Sequence, residues 1–250
     1  MTKFKAQQLH EHVIEEIGKG IISGEFVQGE SLPAEEQLCQ MLGVRRAALR
    51  EALRVLASKG LLEPKRKVGT LVKSSAHWNF LDANVLSWLL AAGDADRVIS
   101  ELYELRQLVE PVAASLAARH ARTDHISVMR RAYEALRAAG DDGEKFAGPD
   151  LEFHQAIIGA SGNRLFSALA HVIEAALRVN FRLVRDVPSG HVQSLPLHRR
   201  VLEAIEAGDT SAARLAMQRL IEDSQREARS VRRSGARRVG APTRKPARVR

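Results

Sequence analysis

The sequence predicts a mainly α protein, an N-terminal winged helix-turn-helix followed by a C-terminal all-α helical bundle. Three observations predict it. Residues 32–56, LPAEEQLCQMLGVRRAALREALRVL, read as two short helices joined at Gly43. The second is apolar along Leu49, Ala52, Leu53 and Leu56 and cationic elsewhere. LLEPKRKVGTLVK then has the pattern of a short basic hairpin, and the rest of the chain carries helical periodicity with few breakers. An aromatic content of only 4%, beside abundant Ala, Leu and Arg, also favours helices.

The elements follow in order. A first helix over residues 5–23 carries Leu9, Val13, Ile17 and Ile21 on one stripe and closes at Gly24 and EFVQGESLP. After the two short helices, Gly60 stops the second. Residues 61–63 and 70–73 form the predicted strands, with Lys65, Arg66, Lys67 and Gly69 in the connection. A hairpin this short needs a helical core to pack on. Further helices are predicted at residues 82–92, 94–120, 123–140, 149–160, 163–186, 194–207 and 210–233. Pro111 should kink or break its helix, whereas Pro149 suits a first turn. The predicted domains are a winged helix-turn-helix over 1–75, a connector over 76–84, a helical domain over 85–233, and a disordered basic tail over 234–250. Trp78 and Trp88 read as packing anchors between the two domains.

Charge supports this division more than it supports any single function. The formal net charge is +8, but nine of the 38 basic residues lie from residue 229 onward, where there is no acid. The remaining 29 basic residues face all 30 acidic ones. Residues 1–75 are at +3 and residues 76–228 at −4, so the positive potential belongs to the winged part and the tail. No apolar run reaches the roughly 18 residues of a membrane span, and residues 1–14 lack a signal-peptide core. The single Cys39 excludes an intrachain disulfide, and a cytoplasmic location is expected.

A helix seated by one face and cationic on the other can enter a DNA major groove. Arg46, Ala47, Arg50 and Arg54 lie on its outer surface. Arg46 and Arg50 are expected near bases, with Arg45, Lys65 and Arg66 on the phosphate backbone. In the helical part, Asp150 and His154 stand four apart and project from one face. On spacing alone that pair reads first as a surface carboxylate beside a half-buried histidine. Arg106 alone reads as a surface salt bridge to Glu110.

LPAEEQLCQMLGVRRAALREALRVLASKGLLEPKRKVGTLV resembles the winged-helix domain of GntR-type regulators. ELYELRQLVEPVAASLAA, DLEFHQAIIGASGN and LHRRVLEAIEAGDTSAARLAM resemble, in that order, the helical effector domain of the FadR branch, the FCD type. WNFLDANVLSWLL is similar to a segment in regulators of sugar-acid catabolism. The resemblance implies a ligand-responsive repressor, homodimeric on two-fold operator DNA, that controls catabolism of a small organic acid such as an aldonate. It implies that Asp150, His154 and His198 hold a divalent metal (zinc, manganese or nickel). It also implies that Arg106 points into the effector cavity, where a guanidinium can grip a carboxylate through two hydrogen bonds. Arg178, Asn180 and Arg182 lie on the helix expected to cross that cavity.

The chain departs from the family pattern in three places. Arg45 stands where a capping Ser or Thr is common, Glu36 where an Arg is common, and Leu220 where a fourth histidine is usual. Asn163 reads as a helix cap, His171 as a core histidine, and His191 as a loop residue outside the site. Two other functions compete: a metal-dependent helical enzyme on the same three ligands, and a DNA binder that uses the tail and no effector. The enzyme reading lacks a recognisable nucleophile or general base.

Overall fold

The computed structural model describes residues 2–93, 95–170, 172–175, 177–178 and 190–239. The chain divides into two compact units, Met1–Ser100 and Glu101–Arg250.

The first unit opens with α1, Thr2–Ser23, which buries Val13, Ile14, Ile17 and Ile21. Next come α2, Glu35–Leu42, and α3, Arg46–Ser58. Glu35 and Glu36 sit in the first turn of α2, where carboxylates complement the helix dipole. Gly43 ends α2 in the left-handed region, at φ 65°, a conformation that favours glycine and turns the chain towards α3. Leu49, Ala52, Leu53 and Leu56 of α3 are buried, as their spacing predicts. Arg45 occupies the N-cap of α3 without a side-chain hydrogen bond to the first turn.

β1, Leu62–Lys65, pairs antiparallel with β2, Gly69–Val72, in the register Leu62↔Val72 to Lys65↔Gly69. Lys65 and Gly69 therefore belong to the strands, and only residues 66–68 form the turn. The segment read as a turn before α2 contributes to this wing. Ser31 bridges Leu71, Leu32 N–H donates to Thr70 O at 2.8 Å, and Val72 N–H donates to Glu30 O at 2.9 Å.

Helix α4, Ala83–Ala91, is capped by Asp82, whose side chain accepts from the N–H groups of Asn84 and Val85. Lys59, at the end of α3, places Nζ 2.6 Å from Asp82 Oδ2. Trp88 lies against Gly18 of α1: a Cβ on Gly18 would stand 2.4 Å from the indole ring. The indole N–H donates to Glu15 Oε2 at 2.8 Å. Trp78 donates to Lys73 O, and both tryptophans belong to the hydrophobic core of this unit. Both pack within the first unit, where Trp88 joins α4 to α1 across the predicted domain division. Because α4 packs on α1, the division of the chain falls later than the predicted connector.

α5, Ala95–His120, continues through Pro111 without a break in the helix. It is followed by α6, Thr123–Ala139, α7, Gly143–Ala160, and the short α8, Arg164–Ala168. α9, Gly190–Glu206, and α10, Thr210–Val239, complete the described elements. In the second unit α7 packs on α6, and α9 packs on both α6 and α10. α7 starts six residues before its predicted position, because Asp142 caps it by accepting from Lys145 N–H. Pro149 is thus inside the helix and not in its first turn. α9 starts at Gly190, so His191 is helical and buried instead of lying in a loop. α10 extends to Val239, past the predicted helix end at residue 233. Residues 240–250 of the predicted tail lie outside the described residues, as do Asn180, Arg182 and His171. Among the described residues, no helix is long and apolar enough to cross a membrane.

Candidate functional site

The first candidate surface is the outer face of α3 and the wing. Arg45, Arg46, Ala47, Arg50, Arg54, Lys65 and Arg66 are all exposed. Several of these cations already face carboxylates. Arg50 Nε donates to both oxygens of Glu35, at 3.2 and 3.0 Å. Arg46 stands 3.7 Å from Glu36, the residue that replaces the usual Arg, and Arg54 pairs with Glu51 at 2.9 Å. Exposed pairs of this kind are worth about 0–1 kcal/mol, so phosphates or base edges can displace them. Glu36 makes the α2 end of this face less cationic than the family pattern would.

The second candidate site is buried in the helical unit. Asp150 and His154 sit one turn apart on α7, and His198 comes from α9. Each offers a ligand atom, and these atoms all lie within 4.8 Å of one another. His198 Nε2 is 2.8 Å from Asp150 Oδ1, and His154 Nε2 is 3.8 Å from Asp150 Oδ2. Each histidine is tethered by its other ring nitrogen. His198 Nδ1 lies 2.9 Å from Ser194 O, one turn back on α9, and His154 Nδ1 is hydrogen-bonded to Glu110 Oε2. Both Nε2 atoms therefore converge on Asp150. One carboxylate oxygen and two imidazole nitrogens, oriented by hydrogen bonds at the opposite ring atom, fit a divalent ion of the zinc, manganese or nickel type.

Beside this trio lies a buried ion pair. Arg106 Nε donates to Glu110 Oε1 at 2.6 Å, and both residues are 1% exposed. The surface salt bridge read from spacing is therefore a core interaction. The Tyr103 ring packs on the guanidinium, 5.4 Å from its centroid, and Tyr103 pairs with Ser224 through hydroxyls 3.0 Å apart. Burial pulls the Glu110 carboxyl up, but the charge of Arg106 and the neighbouring His154 outweigh it and hold its pKa down at about 2. Burial would likewise raise Asp150, and the neighbouring His154, the His198 hydrogen bond and the more distant Arg106 instead keep it below its ordinary value. Arg106 Nη1 is buried with no hydrogen-bond partner among the described residues. A desolvated donor in that state is costly and calls for an acceptor. Since Nε is already engaged by Glu110, the guanidinium does not have its whole fork free for a carboxylate.

Of the predicted effector residues that are described, Arg106 and Arg178, only Arg106 reaches this cluster. Arg178 is exposed and pairs with Glu174 at 2.8 Å, because Ile173 and Leu177 are the inward positions of its helical segment. Asn163 caps α8 by accepting from Leu165 and Phe166 N–H, as predicted. Leu220 is buried on α10. Two further buried side chains near the trio are not among the predicted site residues. His191 packs its ring 4.8 Å from that of Phe146, which in turn stands 6.2 Å from the His198 ring, and burial lowers its pKa. Glu110 is the more consequential omission. Its signal was its place on the stripe of Leu102, Tyr103, Arg106, Ala113 and Ala117, all of them buried.

Comparison with known proteins identifies the two parts of the chain. Residues 9–72 match the family model described as bacterial regulatory proteins, gntR family, and residues 101–223 match the FCD domain. The chain is 32% identical over 222 residues to the galactonate operon transcriptional repressor of Escherichia coli (strain K12), covering 88% of this chain and 97% of that one. It is 30% identical to the putative L-lactate dehydrogenase operon regulatory protein of the same organism, over 92% and 94% of the two chains. Among solved structures it resembles a Streptococcus agalactiae GntR protein, with 29% identity and a TM-score of 0.51 over 87% of this chain and 99% of the other. These relatives are regulators, which removes the enzyme reading. The chain belongs to the GntR family of bacterial regulatory proteins: it is a DNA-binding transcriptional regulator whose helical unit is an FCD effector domain.

Proposed function

We propose that this regulator is a cytoplasmic, homodimeric repressor whose operator binding responds to a small hydroxycarboxylate of the sugar-acid class. The observation that carries the proposal is the buried Arg106, with its unpartnered Nη1, in the same unit as the converging Asp150, His154 and His198. Relatives named for a galactonate operon and an L-lactate dehydrogenase operon support the same ligand class.

Asp150, His154 and His198 would hold a divalent ion of the zinc, manganese or nickel type. When bound, it would supply an electrophilic seat for a carboxylate or hydroxyl oxygen. Arg106 would donate to the acid through Nη1 while Glu110 keeps its Nε side fixed. Tyr103 holds the guanidinium plane from one face. On the DNA-binding unit, Arg46 and Arg50 would read base edges in the major groove, and Arg45, Arg54, Lys65 and Arg66 would hold phosphates around Ala47. A dimer would place two such units on a two-fold operator. The acid changes operator affinity only if it binds one arrangement of the dimer better than another.

The test is a thermal-shift screen of metal-stripped protein with aldonates and simpler hydroxy acids, each with and without zinc, manganese or nickel. A ligand at about 100 times its Kd stabilises by about 2.7 kcal/mol. The expected result is a shift that needs acid and metal together, is lost in Asp150→Asn, and is matched by altered operator retention in a gel shift. No stabilisation by any carboxylate under any metal condition overturns the proposal.

A further inference from the structure

We propose that Glu110 is a positioning residue that fixes the ring tautomer of His154 and so makes that histidine available as a metal ligand. This rests on the reading of Asp150, His154 and His198 as a metal-binding trio. Glu110 is not itself one of the three converging ligands. Its two carboxylate oxygens each hold a different side chain.

Oε1 accepts the Nε–H of Arg106 at 2.6 Å, and Oε2 meets His154 Nδ1. All three side chains are almost fully buried, so bulk water does not compete for either contact. A guanidinium can only donate, and an ionised carboxylate can only accept. The hydrogen in the Glu110–His154 contact therefore belongs to Nδ1. A neutral imidazole with its hydrogen on Nδ1 carries its lone pair on Nε2, the atom facing Asp150 Oδ2 at 3.8 Å. His198 is set in the same sense by a backbone carbonyl, Ser194 O, which the turn geometry of α9 supplies. For His154 the acceptor is a side chain on another helix, α5, and Arg106 decides which oxygen remains for it.

Glu110→Gln makes the idea testable, because the amide has nearly the same shape and only one acceptor. Arg106 Nε–H claims the amide carbonyl. The NH2 group then faces His154 Nδ1, which must accept, and the ring hydrogen moves to Nε2. The metal-facing nitrogen loses its lone pair.

The experiment uses full-length, metal-stripped protein. Manganese and zinc affinities are measured by titration against a competing chelator, and the His154 tautomer is read by ¹⁵N NMR of histidine-labelled, metal-free protein. Glu110→Gln should bind metal about 10- to 100-fold more weakly and show the Nε2–H tautomer, where the unsubstituted protein shows Nδ1–H. The second variant, Arg106→Met with Glu110→Leu, removes the acceptor without leaving a buried charge. It should keep its melting temperature and lose metal affinity to a similar extent, which a merely structural role would not produce. Unchanged metal affinity in both variants, or an Nδ1–H tautomer that persists in Glu110→Gln, overturns the proposal. If the unsubstituted protein takes up no metal, the trio reading fails, while the tautomer comparison still decides the role of Glu110.

Discussion

Arg106→Ala should destabilise the helical unit far more than the loss of any surface arginine. Arg106 and Glu110 are 2.6 Å apart and each 1% exposed. Removing the guanidinium leaves a buried carboxylate whose remaining hydrogen-bond partner is His154. Breaking one side of such a pair costs about 3–5 kcal/mol, whereas Arg178→Ala, which opens an exposed pair with Glu174, should cost about 0–1 kcal/mol. With a urea slope of about 2 kcal/mol per M, the Arg106→Ala midpoint should fall by about 1.5–2.5 M. The assay is urea unfolding followed by far-ultraviolet circular dichroism on metal-stripped protein, with Arg178→Ala alongside. Arg106→Met with Glu110→Leu should recover most of the loss, because it removes the stranded charge together with its partner. A midpoint for Arg106→Ala within about 0.3 M of the unsubstituted protein would show that Glu110 is not desolvated, and would refute the reasoning. An effector response lost in Arg106→Ala is interpretable only beside this measurement.

Three other outcomes are expected. Arg50→Ala should weaken operator binding by about 1–3 kcal/mol in a gel shift if Arg50 leaves Glu35 to grip a base edge, and an unchanged footprint removes it from the reading face. Gly18→Ala drives a methyl into the Trp88 ring and should lower stability by about 1–3 kcal/mol; an unaltered melt would mean that the indole does not rest there. Asn163→Ala removes the acceptor for Leu165 and Phe166 N–H and should cost about 0.5–2 kcal/mol, seen as a lower melting temperature.

What could be read from the sequence was mostly local. The stripe of α3, the turn at Gly43 and the cap at Asn163 depend on residues within a few positions of one another, so their spacing carries the information. α7 starts before the predicted residue 149 because Asp142 is a good N-cap, and an Asp can equally stand in the loop between two helices. Pro149 suits a first turn by its chemistry, but the first turn lies six residues earlier, at Gly143. The added strand contact at Ser31 was illegible because it depends on pairing with Leu71, forty residues away.

The site shows the same limit. Asp150 and His154 lie on one face by their spacing, but their convergence with His198 is a property of how α7 and α9 meet. The Arg106–Glu110 spacing is identical whether the pair is wet or dry. Only its apolar neighbours on α5 distinguish the two cases. That stripe would have shown Glu110 to be a core carboxylate, but it could not have named His154 as the second partner.

The way Trp88 seats on Gly18 and Asp82 meets Lys59 determines where this protein can be cut. α4 shares its core with α1 and its cap with α3, so exchanging DNA specificity between relatives requires transplanting it along with the wing. A chimera joined at Ser74 would strip α1 of its indole cover and expose Lys59 to a foreign neighbour. One joined after Ala92 keeps the interlocking parts together. Residue 92, rather than the end of the hairpin, is the natural seam of the reading module.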